Sequence, residues 1–220
     1  KDLRPDTQYF IRIRANDNMG PGKLTNPIVV VTQKPAQRPA IQLAEGDELR
    51  VPPRTPFTIT CNVTRGDPVP NLAWESKGRR ISTPQKSKSI SLQHIGIYED
   101  TSFQCVAENE AGTATKEIKV IVTGPTQPEK VQHTVDGNTI HVNWKPPRIT
   151  NGDIVDYEVA YTDNPTLPID QWPTVKTGGP EEIVLPNLKE KTNYTIAIRG
   201  ISDRGPGLFS PNLTALTWLA

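Results

Sequence analysis

The stretch Leu3–Thr25, LRPDTQYFIRIRANDNMGPGKLT, returns as Leu188–Ser210, LKEKTNYTIAIRGISDRGPGLFS. The register is constant at 185 residues: Leu3 with Leu188, Tyr9 with Tyr194, Arg14 with Arg199, and Gly20-Pro21-Gly22 with Gly205-Pro206-Gly207. A repeated unit with different sequence between its copies specifies a modular array rather than one large core. Such arrays work by presenting outer surfaces at fixed spacing and seldom close a catalytic pocket. The 220 residues leave room for about two ordinary domains.

The 22 prolines and 15 glycines cluster at joints between apolar alternations, which suits short strands separated by turns. Ile, Val, Tyr, Trp and Thr carry the apolar runs, and these types favour a pleated, half-buried surface. Nothing reads as a long helix, and no run of about 18 apolar residues is present to span a bilayer. The net charge is +1, with no strong field to hold nucleic acid or a membrane surface. It is uneven: +4 over residues 1–39, zero over 40–124 and −3 over 125–220.

Residues 1–33 hold one loop, a strand around Tyr9–Ala15, a Gly-Pro-Gly turn and a strand around Ile28–Thr32. The second copy has about sixty more residues ahead of the matching point, and an isolated hairpin is marginal in water. The first unit is therefore expected to fray, to pair with a neighbouring chain, or to be completed by residues outside this sequence. The chain reads as a segment of something longer. Residues 34–39 form a Pro-punctuated joint. Residues 40–124 alternate with period two through Phe57, Ile59, Cys61 and Val63, then Leu72 and Trp74, Phe103, Cys105 and Ala107, and Ile118, Val120 and Val122. After the joint Gly124–Pro128, residues 125–220 alternate through Ile140, Val142 and Trp144, Tyr157, Val159 and Tyr161, and Tyr194, Ile196 and Ile198. The expectation is all-β: tandem β-sandwiches.

Cys61, Trp74 and Cys105 resemble the immunoglobulin arrangement, in which a bridge joins facing sheets and a tryptophan packs against it. That resemblance implies a Cys61–Cys105 disulfide, which the loop-entropy estimate makes worth roughly 4 kcal/mol. Two buried free thiols are the alternative, as when such domains work inside cells. Phe103 stands where a corner tyrosine is usual, and Glu99 where aspartate is commoner; Gly112–Val120 fits the last strand of the intermediate-set (I-set) subtype. The flanking unit resembles fibronectin type III, on Trp144 with Pro146-Pro147, Tyr157-x-Val-x-Tyr161, and Leu188 six residues before Tyr194. Residues 1–33 are then the C-terminal part of one fibronectin type III unit, 40–124 an I-set unit and 125–220 a second fibronectin type III unit. The segment Asn151–Trp172 is similar to modules of LAR-type receptor phosphatases and of the netrin-receptor group, and the order of units is similar to that of Dscam adhesion molecules.

Three sequons occur, at Asn62, Asn193 and Asn212, and chance supplies roughly two in such a composition. Alternation beside Cys61 and Tyr194 turns Asn62 and Asn193 to solvent, where a glycan fits. The window Ser76–Tyr98 carries Lys77, Arg79, Arg80, Lys86 and Lys88 and no acid. It suits an anionic glycan such as heparan sulfate; equally, lysines on an exposed edge strand guard against sheet-to-sheet aggregation. Arg14 and Arg199 are solvated strand residues, with an aromatic face such as that of Trp172 within reach. The two Gly-Pro-Gly segments are hairpin turns, lacking the helix and lysine of a phosphate loop. His94, His133 and His141 have no second ligand at metal spacing, and no nucleophile–base set stands out. The expectation is no catalytic residue, no metal and no cofactor.

Together these point to an extracellular segment of a single-pass cell-surface adhesion or guidance receptor, which presents protein-binding surfaces on a modular rod. Its partner is a protein ligand or cell-surface molecule, and membrane attachment comes through segments outside this sequence. The alternatives are a structural array inside muscle cells of the titin-like kind, with Cys61 and Cys105 reduced, and a secreted matrix protein.

Overall fold

The period-two alternation becomes strands almost throughout. The computed structural model describes residues 2–219, and among these there is no α-helix, only a single 3-10 turn at Ile169–Gln171. Among the described residues no helix is long and apolar enough to cross a membrane.

The N-terminal hairpin pairs Gln8–Ile11 with Ile28–Val31, Tyr9 opposite Val30. The strand expected over Tyr9–Ala15 is broken, stopping at Ile11 and resuming as the two-residue piece Asn16–Asp17. The repeat in sequence is a repeat in hydrogen bonding. The Tyr9 hydroxyl accepts the Arg4 N–H at 2.7 Å, as the Tyr194 hydroxyl accepts that of Lys189 at 3.0 Å. Thr32 Oγ1 accepts from Thr7 N–H as Thr217 Oγ1 does from Thr192 N–H, each at 3.0 Å. Ile13 N–H reaches Thr25 Oγ1 as Ile198 N–H reaches Ser210 Oγ. What does not repeat is burial. Ile11 and Ile13 are 40% and 62% exposed, while Ile196 and Ile198 at the matching positions are fully buried. Two strands satisfy their own backbone but have no second layer to cover an apolar face.

The central unit is a sandwich. One sheet orders Gln37–Leu43, Phe57–Asp67 and Ser89–His94, with Phe57–Asp67 in the middle. The other runs Gln85–Lys86, Asn71–Ser76, Thr101–Asn109, Gly112–Val122 and Glu48–Val51, with Arg79–Arg80 also pairing Asn71–Ser76. The first ladder reaches back to Gln37, opposite Asp67, so part of the expected 34–39 joint lies within the sheet. The inward set from both layers, including Ile59, Cys61, Leu72, Trp74, Cys105, Ile118 and Val120, is fully buried in one cluster. Phe103 fills the corner position by packing edge-on against Phe57 and His94, at centroid distances of 5.9 and 5.7 Å.

The C-terminal unit is a second sandwich. A three-stranded sheet of Glu129–Asp136, Thr139–Lys145 and Glu182–Leu185 faces a five-stranded sheet of Thr174–Lys176, Ile154–Thr162, Asn193–Ser202, Gly205–Pro206 and Leu213–Leu216. Ile140, Val142, Trp144, Tyr157, Val159, Ile196 and Ile198 form its core. Trp172, outside that core, covers Ala160 and Ala197 on the other face of the larger sheet and donates its indole N–H to Leu167 O at 2.9 Å.

Candidate functional site

Three features can carry function: the bridged core that fixes the central sandwich, the basic edge of that sandwich, and the joint linking it to the C-terminal unit. The first is a covalent tie between layers. Cys61 and Cys105 form a disulfide, and both are fully buried beside Trp74. It closes a 44-residue separation, and no cysteine is left free.

The basic residues sit on the edge of the larger sheet. Lys77 and Gly78, both with positive φ, make the two-residue turn between Ser76 and Arg79, the geometry that hairpins with a right-handed twist favour. Arg79 pairs opposite Ser76 and Lys86 opposite Asn71. That spreads the charges along the six residues of Asn71–Ser76, five steps or about 17 Å at the rise of an extended chain. Lys88 follows on the way to the other sheet, where its carbonyl accepts the Val63 N–H. The window is therefore strung along an edge rather than gathered on one face. Arg80 is engaged by Glu75 at 3.7 Å; Lys77 and Arg79 have no acidic partner among the described residues.

The sequon asparagines differ in setting. Asn193 and Asn212 are exposed, whereas Asn62 is half-buried mid-strand and its Oδ1 accepts the Ser89 hydroxyl at 2.9 Å. Arg199 is only partly exposed, and it does not cover Trp172. Its guanidinium donates twice to Glu158 Oε1, at 3.1 and 2.8 Å, and its Cζ lies 4.6 Å from the centroid of Phe209. Phe209 and Glu158 are the partners that sequence reasoning missed; Glu158 stands directly opposite Arg199 in the strand register, a relation visible only once the ladder is known. His94 stacks on Phe57 at 5.2 Å, and His141 Nε2 lies 3.2 Å from Glu182 Oε2. Among the described residues no group of three or more His, Cys, Asp or Glu gathers to hold a metal.

The joint is built from four loops. Arg204 Nη1 donates to Asp100 at 3.1 and 3.0 Å and to Val122 O at 3.4 Å, and Asp100 Oδ1 also accepts the Val122 N–H at 2.9 Å. Asn151 Nδ2 donates to Tyr98 O at 2.7 Å and Gly124 O at 2.9 Å. Leu208 N–H reaches Pro125 O at 3.0 Å, and Thr126 N–H reaches Ile149 O at 2.8 Å. The glycines make this approach feasible. A Cβ on Gly124 would fall 2.1 Å from Pro206 O, and one on Gly207 would fall 2.2 Å from Pro125 O. The second Gly-Pro-Gly turn is thus a hairpin turn that also seats the linker of the preceding sandwich. The signal in the sequence was the Gly124-Pro125 pair, which only the partner turn explains.

The fibronectin type III domain family matches residues 126–215. An Ig-like and fibronectin type-III domain-containing protein of Caenorhabditis elegans is 25% identical over 94% of this chain and 15% of its own length. The human netrin receptor DCC is 26% identical over 71% of this chain and 12% of its own length. The cell adhesion molecule Dscam2 of Drosophila melanogaster is 21% identical over 96% and 11%. The chain therefore spans only 11 to 15% of the length of these relatives. Among solved structures, titin domains A168–A170 are 17% identical over 94% of this chain and 74% of that one, with a TM-score of 0.43. The FN5 domain of Drosophila Lar is 23% identical over 44% of this chain and 99% of its own, with a TM-score of 0.37. Residues 126–215 match the fibronectin type III domain family, and with the bridged sandwich at 37–122 ahead of them the chain is similar to the immunoglobulin–fibronectin type III proteins among these relatives.

Proposed function

We propose that the chain is an extracellular segment of a single-pass cell-surface adhesion or guidance receptor, and that it acts by display without catalysis. Relatives named as a netrin receptor and a cell adhesion molecule support this reading. The observation that carries the mechanism is the joint. Arg204, Asp100, Asn151 and the Gly124–Gly207 contacts hold two sandwiches in one relative orientation, so surfaces on both reach a partner as a unit. A flexible linker would instead leave each sandwich to bind alone. The partner is a protein ligand or cell-surface molecule that docks on exposed sheet faces or loops. Any enzymatic activity of the whole protein belongs to another part of it.

The test is intact mass after eukaryotic secretory expression, before and after enzymatic removal of N-glycans, with alkylation under denaturing, non-reducing conditions. The expected result is a glycan shift from at least one of Asn62, Asn193 and Asn212, and no alkylated cysteine. Two free thiols with no glycan would move the assignment to an intracellular structural array.

A further inference from the structure

At the end of the basic edge the central sandwich is open between its layers. Ile81, Leu92, Ile97 and Phe103 line a cleft of about 690 Å³, with Lys77 and Arg79 among its wall residues. The volume falls within the range of about 300–1,000 Å³ that small-ligand sites occupy. The apolar part grades from buried to open: Phe103 is 3% exposed, Ile97 8%, and Ile81 42%. Phe103, in place of a corner tyrosine, brings no hydroxyl to this floor, and the Ser76 and Thr101 hydroxyls in the wall donate to backbone carbonyls. No carboxylate lines the cleft, and neither of its two cations has an acidic partner among the described residues. His94, also in the wall, accepts the Gly96 N–H at Nδ1. Its ring proton is then on Nε2, a hydrogen-bond donor with no partner among the described residues.

We propose that this cleft is a recognition pocket for an apolar side chain flanked by carboxylates on a protein partner. The apolar residue would enter against Ile81, Leu92 and Phe103, and the flanking acids would meet Lys77 and Arg79. Charge complementarity selects this occupant. A purely apolar segment would leave two unpaired cations at the mouth, and a polyanion alone would leave the apolar floor wet. Edge protection needs charge on the strand but not an open floor beneath it. The proposal rests on the receptor reading only in taking the partner to be a protein.

The experiment is a titration of the 15N-labelled full chain, followed by NMR, with three probes: the peptides acetyl-Asp-Phe-Glu-amide and acetyl-Asp-Ser-Glu-amide, and a heparin tetrasaccharide. The phenylalanine peptide is expected to shift the amides of Lys77, Arg79, Ile81, Leu92 and Thr101, and to bind at least tenfold more tightly than the serine peptide. Lys77→Glu with Arg79→Glu, and separately Ile81→Gln, should each weaken it about tenfold or more. Both changes are at exposed positions, and an unchanged melting temperature shows that the fold is kept. Equal binding of the two peptides, or no shift at millimolar peptide, overturns the proposal. So does tetrasaccharide binding that needs the cations but ignores Ile81→Gln while the phenylalanine peptide fails; that result gives the edge to an anionic glycan. Secretion with an intact bridge, alongside failure here, removes the pocket and leaves the receptor reading standing.

Discussion

Gly207→Ala is the sharpest perturbation of the joint. The new methyl carbon would stand 2.2 Å from Pro125 O and 2.6 Å from Pro125 Cγ, so Pro125 must leave its seat. Forcing a methyl into a filled site costs about 1–3 kcal/mol. The displaced Pro125 also gives up the Leu208 hydrogen bond, a further loss of roughly 0.5–1.5 kcal/mol. Together these are about 1.5–4.5 kcal/mol, or roughly a 10- to 1,500-fold shift from docked to undocked sandwiches at about 1.4 kcal/mol per factor of ten. Neither core cluster includes Gly207, so both sandwiches should keep their folds. Residual dipolar couplings read the outcome directly. In the unsubstituted protein, couplings from the 37–122 and 126–215 units should fit a single alignment tensor. In Gly207→Ala they should require two, or a changed mutual orientation. Arg204→Ala supplies a graded comparison, since a half-exposed ion pair contributes about 0.2–1 kcal/mol and the shift should be only a few-fold. An unchanged orientation in Gly207→Ala would refute the claim that this contact sets the joint.

Replacing Cys61 and Cys105 together by serine removes a tie across 44 residues; urea unfolding should then show the central sandwich destabilised by about 4 kcal/mol, with the C-terminal unit's transition unchanged. Tyr157 should titrate late. Burial, followed by the charge and hydrogen bond of Glu181, pushes its hydroxyl up to about 12. Because the folded value lies above the unfolded one, the associated stability is fully present below about pH 10 and is lost as pH rises toward 12. Spectrophotometric titration of the phenolate checks the value. In Glu181→Gln it should fall part of the way and stay above that of free tyrosine, since burial remains. Phe209→Ala should lower the melting temperature modestly, by loss of an arginine–ring contact worth about 0.5–1 kcal/mol and of the apolar area it covers.

Much of the fold is written in alternation. Cys61, Trp74 and Cys105 fall on inward positions of three strands because every second residue around them is apolar, and the same rule places Trp144, Tyr157 and Ile196 in the second core. The Glu48–Val51 strand was not legible. It pairs in parallel with Lys119–Val122, and a parallel partner leaves no hairpin turn between the two runs to announce it. The basic window shows a different limit. Its composition was plain, but its shape depends on a two-residue turn at Lys77-Gly78 and on which strand each lysine faces. Whether five charges make a patch or a line is a property of register, and period two alone does not fix register between strands.

The joint shows the same limit most clearly. Asp100 and Arg204 are 104 residues apart and lie in loops, where no periodicity applies. The turn that seats the linker is the same three residues in both copies of the repeat, with the same internal hydrogen bond from its last glycine. Yet Met19 stands where Arg204 stands and is 93% exposed, whereas Arg204 reaches the neighbouring sandwich. The repeated residues therefore encode the hairpin, and the residues that differ between copies encode what the hairpin holds. A chain of this kind is read for fold through what recurs and for function through what does not. The Arg204–Asp100 contact belongs to the second class.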